Sequence, residues 1–283
     1  ILSLEEPEAH LHPNAQRCVH EQLTKGIGQR IVSTHSPYVA GQAGLNEIVH
    51  FAKDGSGTGV SRLPELKSDD SRKIRREVMR SRGELLFARA VVLFEGETEE
   101  QALPIFAQHH WGQAPFQHGV AFVGVGGDGN YLPFLRTLNA IRVPWFIFSD
   151  GEPNARGRVE RALKKVGEKL PHMNVVVLPN DRSIENYLVD EGYEDEMKSA
   201  VVEMRGPYDD GRARAAIKAE VDALDEPSLR ALLSKKDNKV RMAPHWAAVI
   251  LRASGRRSIP AAVRDLLERI DNVIGVSRDG VGR

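Results

Sequence analysis

The chain contains a single cysteine, Cys18, among its 283 residues. One thiol excludes an internal disulfide framework and is typical of a reducing compartment, so we expect a cytoplasmic location. The chain also lacks any run of about 18 apolar residues, which argues against a membrane span. A signal peptide is missing too, since the chain opens with Ile-Leu-Ser-Leu, a strand-like pattern. We therefore expect the C-terminal piece of a longer protein that has no membrane partner.

Neither sign of charge is in excess, because 39 basic residues balance 39 acidic residues. The overall charge therefore indicates nothing about a polyanionic partner, and only local basic segments can. One such segment, residues 71–82, includes Arg72, Lys73, Arg75 and Arg76. This segment fits either a nucleic-acid contact or a solvated helix face that joins two domains.

Short apolar runs alternate with amphipathic segments from residue 89 onward, which predicts an α/β fold with a mostly parallel sheet flanked by helices. The predicted strands lie near residues 89–95, 119–124, 143–149 and 174–178. The predicted helices between them lie near residues 98–109, 130–140 and 155–168. Beyond Asp190 charged helical patterns dominate, and the only candidate strand is near Val273.

Two of the apolar segments end in pairs of acidic residues. The segment Ala-Val-Val-Leu-Phe precedes Glu95, with Glu99 one helical turn later, and Trp-Phe-Ile-Phe-Ser precedes Asp150 and Glu152. Ligands of open α/β sheets bind at the carboxyl ends of the strands, so we expect these four acids to meet at one edge. Carboxylates that crowd together repel one another unless cations lie among them. The sequence therefore predicts a divalent metal site.

The residue types favour Mg²⁺ or Mn²⁺, because hard oxygen ligands suit these ions and no cysteine or histidine cluster has zinc spacing. Not every acid in the region needs to be a ligand. Glu97 and Glu100 stand at the start of the predicted helix, where negative charge is favoured by the helix dipole. We interpret these two residues as dipole partners rather than as ligands.

The pattern Glu-Gly-x-x-Glu after one strand and Asp-x-Glu after another resembles the Toprim domain of topoisomerases, bacterial primases and related nucleases. The resemblance covers about residues 85–190, and the glycine-rich segment 123–130 takes the place of the turn after the family's second strand. The family usually has Asp where this chain has Glu152, which lengthens that ligand by one methylene. The resemblance implies a Rossmann-like Toprim fold that binds divalent cations.

Further motifs resemble the overcoming-lysogenization-defect (OLD) nucleases, which have a Ser-x-Glu motif that supplies ligands for a second ion. Ser183 and Glu185 alternate on a segment predicted as extended, so both are candidate ligands; a polar loop with a helix cap is the alternative. These nucleases also have a lysine before an apolar helix. We assign that place to Lys239 rather than Lys235 or Lys236, although any of the three fits a solvated face.

The opening residues resemble the Walker B strand of ABC-type ATPases. By this resemblance Glu5 takes the place of the magnesium-associated acid, Glu6 that of the acid which polarises water, and His35 that of the switch histidine. No Gly-x-x-x-x-Gly-Lys-Ser/Thr loop is found in the chain, so nothing in it can hold the nucleotide phosphates in the usual way. We expect ATP to act only in a longer chain that includes the upstream ATPase segment.

The resemblances imply four parts and one principal function. The parts are an ATPase remnant at 1–65, a basic linker or helix at 66–88, a Toprim catalytic domain at 89–190 and a helical subdomain at 191–283. The expected function is a metal-dependent DNA endonuclease with two divalent ions, acting on double-stranded DNA and homodimeric when full length. The alternative is a non-catalytic module that binds nucleic acid or assists assembly under the control of an ATPase.

Overall fold

A computed structural model gives the fold and describes residues 1–53, 57–63, 72, 74, 76, 83–126, 130–206, 211–253 and 255–275. The chain divides into two compact units, one of Ile1–Val91 with Asn130–Pro144 and one of Val92–Gly129 with Trp145–Arg283. Within the described ranges, no helix has the length and apolar character needed to span a bilayer. The four-part division made from the sequence stays a prediction.

The first unit contains two small pairs of strands. Strands β1 (Leu2–Glu5) and β2 (Arg30–Ser33) are parallel, whereas β3 (Val49–Lys53) and β4 (Thr58–Arg62) form an antiparallel pair. The helices of this unit are α1 (Pro13–Thr24), α2 (Pro37–Ala40) and α4 (Tyr131–Ile141), with 3-10 turns at Leu45–Glu47 and Gly83–Phe87. Helix α2 begins at Ser36, whose hydroxyl accepts hydrogen bonds from the first free amides of the helix.

A four-stranded sheet with the order β6-β5-β7-β8 carries the candidate site. Its strands are β5 (Ala90–Phe94), β6 (Val120–Gly124), β7 (Trp145–Ser149) and β8 (Val175–Val177). Every residue of the central strands β5 and β7 is buried, as expected for strands with helices on both faces. Strands β7 and β8 are parallel, with Ile147 opposite Val175. The α/β fold class predicted from the sequence is confirmed.

Helices make up most of the second unit. They are α3 (Glu97–Trp111), α5 (Pro153–Lys165), α6 (Ile184–Asp190), α7 (Glu194–Arg205), α8 (Gly211–Asp222), α9 (Glu226–Leu233), α10 (Lys236–Leu251) and α11 (Ala261–Ile274), with 3-10 turns at Pro115–His118 and Gly255–Ser258. The candidate strand near Val273 is wrong, because Val273 lies in the last turn of α11. The buried apolar residues of α11 recur at helical spacing, from Val263 to Ile274, and Val273 lies on the exposed face.

Helix α10 packs against α3 and α7. This packing fixes the position of the first turn of α10. The rings of Phe106 and Trp246, both fully buried, lie 6.0 Å apart at this interface. Helix α11 is fastened to the other end of α3, where Asp271 accepts hydrogen bonds of 2.7 Å from Trp111 Nε1 and His110 Nε2. Helix α3 is therefore held along its length, which places its acidic N-terminus firmly at the end of β5.

The loop after β7 and the loop after β8 approach each other at Gly151. The amide of Gly151 donates to the carbonyl of Arg182 at 2.8 Å, and a Cβ atom on Gly151 would lie 2.1 Å from the carbonyl oxygen of Leu178. Only glycine leaves space for this backbone contact. The contact brings the residues that follow β7 beside the residues that begin α6.

We expect Gly151→Ala to lower the free energy of unfolding by about 1–3 kcal/mol, because the added methyl group forces two backbone segments apart. Urea denaturation followed by circular dichroism measures the change. Gly157→Ala in α5 is the matched control, since its Cβ would meet only the mobile end of Arg161 at 3.3 Å. That control should be neutral or stabilising by up to about 1 kcal/mol. Equal stability of the two variants would contradict the close approach.

Candidate metal centre

Strand β5 delivers Glu95 to its carboxyl end, and α3 begins two residues later. Gly96 is the N-cap residue of α3, and its missing side chain leaves space for Glu99, whose Oε2 lies 2.0 Å from where a Cβ on Gly96 would be. Glu99 is buried, with 4% of its surface exposed, whereas Glu97 is exposed. The helix therefore turns Glu99 inward over the strand end and leaves Glu97 in solvent.

Strand β7 delivers Asp150 and Glu152 to the same edge of the sheet. Asp150 is oriented by the backbone, because the amide of Ile184 donates to its Oδ1 at 2.9 Å. Glu152 is exposed and precedes α5. The hydrogen bond from Ile184 connects the end of β7 directly to the first residue of α6.

Helix α6 supplies Glu185, which is 3% exposed and lies in its first turn, while the buried Ser183 is the N-cap residue. The expectation that both residues alternate on an extended segment is therefore wrong for Glu185. Helix formation starts at Ile184, and a helical turn aims Glu185 into the protein. Thr98 Oγ1 donates to Glu185 Oε1 at 3.4 Å, so the start of α3 contacts the start of α6.

Lys239 lies in the first turn of α10 and forms an ion pair with Glu185. Its Nζ is 3.3 Å from Glu185 Oε2, an oxygen that is fully buried and receives no hydrogen bond of good geometry. Burial lowers the pKa of Lys239, but the carboxylates of Glu185, Asp150 and Glu152 outweigh burial and leave that pKa above its ordinary value. Lys239 is therefore a charged partner of several acids at once.

We use the name acidic rim for the five carboxylates of Glu95, Glu99, Asp150, Glu152 and Glu185. Burial raises the pKa of Glu99 from 4.5 to about 7, and the negative charges of Glu185 and Glu95 add to the effect. Burial likewise raises the pKa of Asp150 well above its ordinary value, with further contributions from Glu99 and Glu185. Burial and the neighbouring negative charges thus both disfavour the ionised forms of Glu99 and Asp150.

The strongest contact in the acidic rim is made by a residue that the sequence analysis did not select. Arg158 of α5 donates from Nε to both oxygens of Glu95 at 2.8 and 2.9 Å, and from Nη2 to Oε2 at 2.5 Å. A signal was present in the sequence, because Arg158 lies in the helix that starts directly after Glu152. The roles of Thr98 and of the Ile184 amide were missed too, since hydrogen bonds between distant segments leave no sequence pattern.

The ligand chemistry of the acidic rim fits a hard divalent cation. All candidate ligand atoms are oxygens, the pKa values of Glu99 and Asp150 are raised, and the buried Oε2 of Glu185 receives no hydrogen bond. Across the described part of the chain, however, no three Asp, Glu, His or Cys side chains stand close enough together to hold an ion as they are. The residues fit a metal site that requires side-chain rearrangement when an ion binds.

The other predicted residues belong to the first unit. Glu5 ends β1, Glu6 adopts a left-handed backbone with φ of 41°, and the exposed His35 has its Nε2 3.5 Å from Glu6 Oε1. These contacts put Glu6 and His35 side by side in the first unit. In the basic segment Arg72 and Arg76 are exposed, whereas Lys73 and Arg75 lie outside the described residues.

We expect the ion-free protein to lose stability as the pH rises from about 4.5 to about 7. An acid whose pKa is higher in the folded than in the unfolded state binds more protons when folded, so the free energy of unfolding falls with pH in that range. Urea denaturation with a chelator present measures this slope. Glu99→Gln should flatten it, and Glu97→Gln on the same helical turn should leave it unchanged. If the slope is the same in the unchanged chain and both variants, Glu99 is not the source of the pH dependence.

Two family models match the chain. Residues 86–151 match the TOPRIM domain of overcoming lysogenization defect protein-like proteins, and residues 1–84 match a protein family of unknown function, DUF2813. The Old nuclease of Escherichia phage P2 is 28% identical over 159 residues, which are 53% of this chain and 27% of that protein. The uncharacterized protein YbjD of Escherichia coli K12 is 24% identical over 202 residues, 69% of this chain and 36% of that protein.

Solved structures of C-terminal regions of OLD proteins are similar as well. The region from Burkholderia pseudomallei has a TM-score of 0.49 and 21% identity, and covers 66% of this chain and 99% of that one. The region from Xanthomonas campestris pv. campestris has a TM-score of 0.49 and 24% identity, and covers 67% and 97% of the two chains. The chain spans about a third of the length of its curated relatives. The match of residues 86–151 to the OLD-like Toprim model agrees with the resemblance found in the sequence.

Proposed function

We propose that the chain is the nuclease part of a metal-dependent DNA endonuclease that hydrolyses phosphodiester bonds with two divalent ions. The observation that carries the proposal is the acidic rim, in which burial and the neighbouring carboxylates raise the pKa values of Glu99 and Asp150. Such an arrangement is costly for folding and is typical of functional sites rather than of structural ones. The similarity to the Old nuclease supports the same reading.

The proposed ions are Mg²⁺ or Mn²⁺, and the acidic rim divides into two ligand groups. Glu95, Asp150 and Glu152 would hold one ion, while Glu99, Ser183 and Glu185 would hold the other. When bound, two such ions supply a hydroxide at neutral pH and stabilise the oxygen that leaves the phosphorus. Ligands from different strands and helices suit this chemistry, because the fold then fixes the distance between the two groups.

The residues of the chain itself orient the ligands and balance their charge. The amide of Ile184 holds Oδ1 of Asp150 by a hydrogen bond of 2.9 Å. The hydroxyl of Thr98 holds one oxygen of Glu185. The ammonium group of Lys239 lies at the same place and is positioned to stabilise negative charge that develops on a phosphate oxygen.

Partners of the acidic rim are proposed from the same layout. The substrate is DNA in double-stranded form, and the exposed Arg72 and Arg76 are candidates for contacts to its backbone. In the intact protein an upstream ATPase segment would complete the remnant around Glu5, Glu6 and His35. ATP and homodimer formation belong to that longer chain.

A second candidate function is a non-catalytic module that binds nucleic acid under the control of an attached ATPase. The observation that favours it is the Arg158 contact, since an acid already neutralised by arginine can serve a structural role. Such a module would bind DNA in a salt-dependent manner and leave it intact. Strand scission therefore separates the two functions.

We expect the chain to nick or linearise supercoiled plasmid with Mg²⁺ or Mn²⁺, and to stop when a chelator is added. Asp150→Asn and Glu185→Gln should lower the cleavage rate by about 10- to 100-fold or more, because each loses a ligand carboxylate. Gel electrophoresis over a time course measures the rate. Glu97→Gln is the control, because Glu97 lies in the first turn of α3 but is exposed. Full cleavage by both ligand variants would reject the acidic rim as the site of cleavage, and an intact plasmid with the unchanged chain would favour the non-catalytic function.

Lys239→Gln should lower the maximal cleavage rate by about 100-fold, because a positioned cation near the reacting phosphate is lost. The Mg²⁺ concentration that gives half-maximal activity should not rise, since Lys239 is not a ligand. Lys235→Gln is the control, as Lys235 is an exposed lysine just before the same helix. A higher Mg²⁺ requirement with an unchanged maximal rate would assign Lys239 to metal-site structure instead.

A further inference from the structure

Glu95 is a proposed metal ligand whose two oxygens are both already engaged. Three donor contacts from Arg158, at 2.5, 2.8 and 2.9 Å, form a two-pronged ion pair that is largely shielded from water. The exposed fraction of the side chain is 14% for Glu95 and 29% for Arg158. Two-pronged pairs of arginine and carboxylate are among the strongest polar contacts in proteins.

The guanidinium group of Arg158 and a divalent ion cannot both bind the carboxylate oxygens of Glu95. Arginine keeps its charge at every accessible pH, so proton loss cannot relieve the conflict. An ion bound to Glu95 would lie only a few ångströms from the guanidinium group, where like charges repel strongly in a partly buried site. The absence of a ready three-ligand cluster among the described residues agrees with this exclusion.

Arg158 differs in this respect from the other cation of the acidic rim. Lys239 Nζ lies 3.3 Å from Oε2 of Glu185 and contacts that oxygen alone, while Oε1 accepts a hydrogen bond from Thr98 at 3.4 Å. Arg158 uses both oxygens of its partner. Because Arg158 is a long side chain with almost a third of its surface exposed, it has solvent into which it can turn.

We propose that Arg158 is a built-in competitor of the divalent ion at Glu95. It neutralises Glu95 in the ion-free protein and leaves when the ion binds, so it sets the ion concentration at which the site fills. This inference rests on the proposed function only in taking Glu95 as a metal ligand. The opposite role, in which Arg158 orients Glu95 for the ion, predicts weaker metal binding when Arg158 is removed.

The test is isothermal titration of the chain with Mn²⁺ alone, in the absence of DNA. Arg158→Gln should bind Mn²⁺ about tenfold more tightly than the unchanged chain, because one competing charge is gone. Arg158→Lys keeps the charge but loses the two-pronged contact, so its affinity for Mn²⁺ should lie between those of Arg158→Gln and the unchanged chain. Arg156→Gln is the matched control, since Arg156 lies on the same helix and pairs with the exposed Glu160 at 3.0 Å. The control should bind Mn²⁺ like the unchanged chain.

A double-substitution cycle separates competition from a general effect on structure. In a Glu95→Gln background, adding Arg158→Gln should leave Mn²⁺ affinity unchanged, because the residue for which the two cations compete is no longer charged. Weaker or unchanged Mn²⁺ binding by Arg158→Gln would overturn the proposal, as would an equal gain in the Glu95→Gln background. If Arg158→Gln does not fold, Arg158→Lys still decides, because weaker or unchanged binding there has the same meaning.

The outcomes for this inference and for the nuclease proposal are distinguishable. Tighter Mn²⁺ binding by Arg158→Gln without any plasmid cleavage would support the competition and reject the nuclease. Plasmid cleavage with weaker Mn²⁺ binding by Arg158→Gln would support the nuclease and reject the competition. A chain that binds no Mn²⁺ at all would reject both.

Discussion

Mutual repulsion among buried carboxylates is the constraint on which the rest of the second unit depends. Glu99 and Asp150 carry raised pKa values because the fold places them out of water and within reach of other acids. Folding must offset that cost, since paired and hydrogen-bonded charges are tolerated in a protein interior while isolated ones are not. Arg158, Lys239, Thr98 and the amide of Ile184 supply the compensation.

The frame that holds these acids is built from elements far apart in the chain. Helix α3 is fastened by Asp271 at one end and packed through Phe106 along its length. The loops after β7 and β8 are joined at Gly151, where a backbone contact leaves no room for a side chain. Carboxylates that repel one another stay close only if the strands and helices that carry them keep fixed positions, because movement of these elements would let the carboxylates separate.

Much of the fold was predictable because its signals are local. The strands predicted at 89–95 and 143–149 are found as β5 and β7, and the helices after them begin within two residues of the predicted positions. The positions of the acidic residues after β5 and β7 were predictable as well, because the carboxyl ends of parallel strands lie at the same edge of a sheet. The predicted strand near Val273 failed because the buried residues from Val263 to Ile274 recur at helical spacing, and Val273 itself lies on the exposed face of the helix. Arg158 was missed because its contact joins residues 63 positions apart.

The hydrogen bond from the Ile184 amide gives Asp150 a property that Glu95 and Glu185 do not share. Glu95 and Glu185 are oriented by side chains, which can turn away when a charge or a ligand changes. A peptide N–H has no titratable proton and no rotamers, so its direction is fixed by the helix that it begins. Asp150 therefore serves as the immobile reference point of the acidic rim, around which the more mobile carboxylates can be rearranged.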